Sequence, residues 1–181
     1  NETLFISGSD YPATGSGVID SFVRIQDKGT EEGYNTDARP QDENSDAGST
    51  ATFNHSIFAA DVPVLTFTIG YEEDGTPITQ SYFEFRLDLN EQDNVSDRDI
   101  IFLDALQLYS HDRGDLFAFT GTPGDESTSS DTGDFTNPVT GLPANAQLIY
   151  DLDDSGNTRV QLDEWTSGSG HGDYTVLIPY V

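Results

Sequence analysis

The chain has 181 residues, with 7 Lys+Arg against 33 Asp+Glu and a formal net charge of -26 at neutral pH. Self-repulsion on that scale opposes compaction unless cations neutralise it, and it sets the chain against nucleic acid and anionic membrane surfaces as partners. The absence of cysteine and methionine excludes disulfides, thiolate metal sites and haem thioether ligation.

The length suits a single domain spanning residues 1–181, large enough to bury a core. A hydrophobic content of 34% borders on that of disordered chains, but 11 Phe, 8 Tyr and clean alternating segments argue for a packed fold. In chain order, residues 1–6 read as a first short strand and residues 7–17 as turn, rich in Gly, Ser and Pro. Residues 18–26 (VIDSFVRIQ) alternate as a strand. The polar connection 27–51 carries few apolar side chains apart from Tyr34, and a connection of that length is either mobile or pinned, with Gly33, Tyr34, Asn35, Thr36 and Asp37 as the pinning residues. Residues 51–58 (ATFNHSIF) and 62–71 (VPVLTFTIGY) read as two further strands, and the Asp74-Gly75 pair suits a hairpin turn into the next.

The centre of the pattern is residues 82–109. Phe83, Phe85, Leu87 and Leu89 alternate with Glu84, Arg86, Asp88 and Asn90, which places one apolar and one polar face on a half-buried strand. An acidic loop follows, and then IIFLDALQLY at 100–109, whose apolar run predicts a second, more deeply buried strand. Beyond it, 110–146 is loop-like, with LFAF at 116–119 as a short strand and 124–138 as a polar low-complexity insertion. Residues 147–165 read as a hairpin turning around Asp154, Ser155, Gly156 and Asn157, and the chain closes with DYTVLIPY as a last strand. No stretch demands a helix. Eight to ten short strands predict an all-β, antiparallel β-sandwich with long calcium-stabilised loops.

Carboxylates dominate the candidate chemistry. Asp88, Asn90, Glu91, Asp93, Asp97 and Asp99 offer more oxygen donors than one six-to-eight-ligand calcium shell requires. A hard divalent cation is the economical way to hold such a loop in one shape; the alternative is a solvated acidic loop. Asp151, Asp153, Asp154, Ser155, Gly156 and Asn157 superficially resemble the start of an EF-hand loop, but Leu162 stands where that loop ends in Glu, so the segment reads as a hairpin turn with Asp153 on a surface ion. Residues 168–173 (GSGHGD) supply glycines for close backbone approach and Asp173 as a carboxylate. His55, His111 and His171 lack zinc-ligand spacing, no G-x-S-x-G elbow is present, and nothing isolates a carboxylate pair for glycoside hydrolysis, so the chain is expected not to be an enzyme. Arg24 and Arg86 stand out as scarce cations within strand patterns, either pairing with a neighbouring acid or capturing a carboxylate or sugar hydroxyl.

The ordered set GSGVIDSFVRIQ, GYNTD, FNHSI, DVPVLT, YFEFRLDLNE, FLDALQLY, LIYDLD and GSGHGD resembles bacterial exported β-rich modules and is similar to the calcium-dependent peptide-binding module near the distal end of large RTX-type adhesins. The resemblance covers residues 15–179. It implies a calcium-loaded β-sandwich that grips a short peptide or another surface ligand and attaches a bacterium to a host or biofilm partner. It further implies Asp88, Asn90, Glu91 and Asp173 as metal ligands, and Tyr34, Asn35, Asp37 and Arg86 as ligand-binding residues. The insertion at 124–138 is longer than that pattern needs.

Together these readings give a non-enzymatic, monomeric, calcium-dependent module of a secreted surface protein, excised from a larger exported chain and without membrane insertion, since no run of about 18 apolar residues is present. Its partner is expected to be a short peptide or a glycan, the latter stacking on Trp165, Tyr34 or Tyr174; the remaining alternative is a spacer stiffened by calcium.

Overall fold

The structure, a computed structural model, describes residues 2–8, 21–25, 29–40, 53–89, 100–121, 133–154, 156–163 and 172–180. It is all-β and antiparallel: its described elements are eight strands and one 3-10 turn, Ala59–Asp61. The strands are β1 (Leu4–Ser7), β2 (Val64–Tyr71), β3 (Pro77–Leu87), β4 (Ile100–Leu103), β5 (Gln107–Ser110), β6 (Gln147–Asp151), β7 (Val160–Asp163) and β8 (Tyr174–Pro179). The chain divides into two compact units. A sheet unit takes residues 1–19, 59–102 and 161–181, and a loop-rich unit takes 20–58 and 103–160. No helix among the described residues is long and apolar enough to cross a membrane.

The sheet unit is built on four strands in the order β1-β8-β3-β2. The last strand of the chain lies inside the sheet, between the first strand and the longest one. Phe83 faces Ile178 and Phe85 faces Val176 on one side, while Leu4 and Glu84 flank Leu177. Val176, Leu177 and Ile178 are consecutive and all buried, Leu177 at 1% exposure, so β8 is shielded on both faces. That accounts for its uninterrupted apolar run, which a strand with one wet face does not need. Aromatic pairs support β3 on each side. Phe83 meets Tyr180 edge-on at 4.8 Å and Tyr82 meets Phe67 at 5.9 Å, contacts of the cross-strand kind that stabilise sheets.

The β2–β3 connection is the expected hairpin. Gly75 donates to the Glu72 carbonyl and the Glu72 amide to the Thr76 carbonyl. Gly75 sits at φ +86, where a side chain is strained. The Asp74 carboxylate accepts from the Thr76 amide at 2.9 Å, and the Thr76 hydrogen bonds hold its pKa below the usual carboxylate value.

Elsewhere the sequence expectations are corrected. The run 100–109 is two strands: β4 pairs with β7, and β5 pairs with β6. The chain changes partners across 104–106, where Asp104 is ion-paired with Arg159 and the Leu106 carbonyl accepts from the Leu152 amide. Nor is β4 deeply buried, since Ile100 and Phe102 are exposed. Strands β6 and β7 do not form a hairpin, because each belongs to a different two-stranded sheet. The described parts of the strands expected at 18–26 and 51–58, residues 21–25 and 53–58, are irregular and meet through one backbone bond from His55 to Phe22.

Truncating Leu177 to Ala should lower the unfolding free energy by about 2–5 kcal/mol, since the cavity lies inside a covered strand. Val139→Ala, at a side chain 73% exposed, should change it by less than about 0.5 kcal/mol. Urea titration of both variants checks the contrast.

Candidate functional site

Two places in the chain gather the candidate residues, one in each unit. In the sheet unit the β3–β8 ladder ends at Leu87 opposite Tyr174. One residue further, the Asp173 amide donates to the Leu87 carbonyl at 2.8 Å, and the Asp173 Oδ2 accepts from the Leu89 amide at 2.8 Å. Asp173 therefore brackets Asp88 from both sides, so that register alone brings these two predicted ligands together. Asp173 is fully buried at 0% exposure, and the Oδ1 of Asp88 is also shielded from solvent. Burying a carboxylate is costly unless it is hydrogen-bonded or compensated by opposite charge. The pair marks the base of the acidic segment. Asn90, Glu91, Asp93, Asp97 and Asp99, the other donors expected there, lie outside the described residues. Among the described residues, no group of three or more His, Asp or Glu is arranged to hold a metal ion. Arg86 belongs to the same strand, exposed and opposite Thr175.

The other predicted residues are in the loop-rich unit. Asp153 caps the turn after β6, where its Oδ1 accepts from the Thr158 amide at 2.7 Å and its own amide donates to Asp151 Oδ1 at 3.0 Å. Gly156, at φ +133, donates to the Asp153 carbonyl. These bonds close the turn between β6 and β7, which are not paired with each other.

Tyr34, Asn35 and Asp37 lie on a segment without strand structure that is pinned by side chains. The Asn54 amide group substitutes for a ladder partner, accepting from the Thr36 amide at 2.8 Å and donating to the Tyr34 carbonyl at 3.2 Å. Asn54 is 1% exposed, and such a buried amide is held by its bonds. Thr36 Oγ1 reaches the Leu116 carbonyl, Asn35 donates to the His55 carbonyl, and Asp37 accepts from the amide and hydroxyl of Ser56. Gly114 packs so closely here that a Cβ would stand 2.2 Å from Ser56 Oγ and 2.5 Å from Asp37 Oδ2. Within the connection expected to be either mobile or pinned, the described residues 34–38 are pinned, by Asn35, Thr36 and Asp37 together with Asn54.

Tyr34 enters an aromatic cluster with Phe119, Phe135 and Tyr109. Its ring meets Phe135 edge-on at 5.2 Å, and Phe119 and Phe135 are 4.9 Å apart. Burial raises the pKa of the Tyr109 phenol. Of the aromatics expected to stack on sugars, Tyr174 is buried and its hydroxyl both accepts from and donates to the Asp163 backbone; Trp165 lies outside the described residues.

Asp134, next to that cluster, was not legible in the sequence. Its carboxylate accepts from the amides of Phe135, Asn145 and Ala146. Burial pushes its pKa up, but those three amides outweigh it and the net shift is downward. Nothing in composition distinguishes it from the other acids, because the three donors converge only on folding.

No family model, curated protein or solved structure matches the chain.

A carboxylate with a lowered folded-state pKa stabilises the fold above its unfolded pKa, near 3.9 for Asp, and loses that contribution as pH falls through the folded value. Asp134→Asn should therefore cost about 1 kcal/mol at pH 7. The gap from the parent should close as the pH falls below about 4. Melting curves of the two proteins between pH 7 and pH 2.5 read this directly, and a gap independent of pH would rule out the charge as its origin.

Proposed function

We propose that this chain is a calcium-dependent, non-enzymatic ligand-binding module of a bacterial surface adhesin, a β-sandwich outside the cell that takes a short peptide. The observation that carries the reading is the fully buried Asp173 carboxylate set beside Asp88 at the base of the acidic segment. Two carboxylates brought together by strand register, in a chain with a net charge of -26, suit a hard cation, which prefers oxygen ligands and removes their repulsion. Asp88 and Asp173 would supply the ligands from the sheet, and Asn90, Glu91, Asp93, Asp97 and Asp99 those from the segment between β3 and β4. Calcium bound there would fix the loop and offer a positive centre to a peptide carboxylate, a group the protein's own field otherwise repels. Tyr34, Asn35 and Asp37 in the loop-rich unit, and separately the exposed Arg86 in the sheet unit, remain the proposed ligand contacts. The burial of Tyr174 removes one of the three aromatics expected to stack on a glycan, since a stacking platform must be exposed.

Extracellular calcium sites commonly bind at about 10⁻⁴ to 10⁻³ M. At a concentration one hundred times the dissociation constant, an ion that binds only the folded state stabilises it by about 2.7 kcal/mol. Thermal melts should therefore shift upward in calcium relative to chelator, and Asp88→Ala should abolish most of that shift. Peptide and glycan arrays probed in both conditions should show calcium-dependent capture of peptides. Identical melting in calcium and chelator would remove the metal from this account, and glycan capture alone would redirect it to a carbohydrate-binding module.

A further inference from the structure

We infer that the outer edge of β2 is a docking site for an extended peptide strand with alternating apolar residues and Lys or Arg at its ends, added to the sheet by backbone hydrogen bonding. β2 ends the four-stranded sheet among the described residues, and all its residues but Gly70 are exposed. Phe67 is 42% exposed, Ile69 60% and Tyr71 70%, with Val64 and Leu65 also open to solvent. Such an edge presents unpaired amides and carbonyls, and soluble proteins ordinarily blunt it with Lys, Pro or inward-facing charge. None of these lies within Val64–Tyr71. The one irregularity is a break in register between Thr68 and Gly70, which leaves Val64–Thr68 in regular pairing with β3 and available as a template on its other side.

Charge decides the occupant. Residues 62–71 carry no charged side chain, whereas Asp61 stands just before them and Glu72, Glu73 and Asp74 just after, all exposed. A second copy adding antiparallel to the same edge would bring Asp61 of one chain beside Glu72, Glu73 and Asp74 of the other. It would also lay each register break against the partner's regular stretch. Both count against self-pairing, as does the mutual repulsion of two chains of charge -26. A basic-ended apolar strand meets acid at each end and is drawn in by the field of the whole protein.

This inference does not require the calcium site, so its test is run in calcium and in chelator. The probe is a synthetic nonapeptide of alternating Val and Thr between terminal lysines, titrated into the full chain by fluorescence anisotropy. Three controls accompany it: the peptide with alternate amides N-methylated, the peptide with terminal glutamates, and the variants Ile69→Lys and Asp61→Lys/Glu73→Lys. The expected result is saturable binding in both media. N-methylation, terminal glutamates and either variant should each weaken it at least ten-fold, with unchanged melting temperatures of the variants. Amide resonances of residues 64–68 should shift on binding. Absence of binding overturns the proposal, as does binding indifferent to N-methylation. Concentration-dependent self-association that Ile69→Lys abolishes overturns it in favour of a second copy.

Discussion

The ladder that holds β8 between β1 and β3 is the constraint on which the sheet unit depends. Side chains alternate with a period of two, so a slip of one residue would exchange Val176 and Ile178 with Thr175 and Leu177 across the sheet. Phe85 would then face Thr175 or Leu177 in place of Val176. The same slip would carry Asp173 away from the Leu89 amide and from Asp88. One register therefore specifies the buried run Val176–Ile178 and the position of the buried carboxylate, so the proposed metal site inherits its geometry from this ladder.

The loop-rich unit is held differently. Its backbone groups are satisfied largely by side chains: Asn54 serves 34–36, Asp37 serves Ser56, Asp134 serves three amides, and Asp151 and Asp153 serve the turn after β6. A short polar side chain that accepts from nearby amides offers the backbone an alternative to a ladder. The acids of the chain thus fall into distinct roles. Some neutralise amide dipoles in loops, Asp115 and Asp104 pair with Arg113 and Arg159, and Asp88 and Asp173 converge where two strands end. Among the described residues, that last arrangement sets a fully buried carboxylate directly across the ladder from a second one.

The edge of β2 shows the opposite economy: an uncharged strand in a chain where more than one residue in five is charged. Its exposure follows from topology, since β3 covers one side and no described strand covers the other. A neutral edge strand bounded by acids, in a chain of net charge -26, disfavours a second copy and favours a basic-ended partner.

The all-β class was legible in the sequence because alternation reports burial of one face, and that signal is local. It placed β1, β2, β3 and β8 and the Asp74-Gly75 hairpin, and it identified Asp88 and Asp173 as carboxylates flanking strands. What it could not reach was pairing. The run 100–109 looks continuous and 147–165 looks like a hairpin, yet both divide between sheets, because the strands paired with β4, β5, β6 and β7 lie far away in the chain. The alternation at 18–26 and 51–58 is as clear as elsewhere, but the described parts form no ladder; the link from Asn54 to 34–36 is a side-chain bond. Nor does a list of acids distinguish Asp134 from its neighbours, since the three amides that define its role meet only in the folded chain. Composition and periodicity settled which residues prefer to be strands and which carry charge; long-range hydrogen bonding decided which strands pair and which carboxylates share a site.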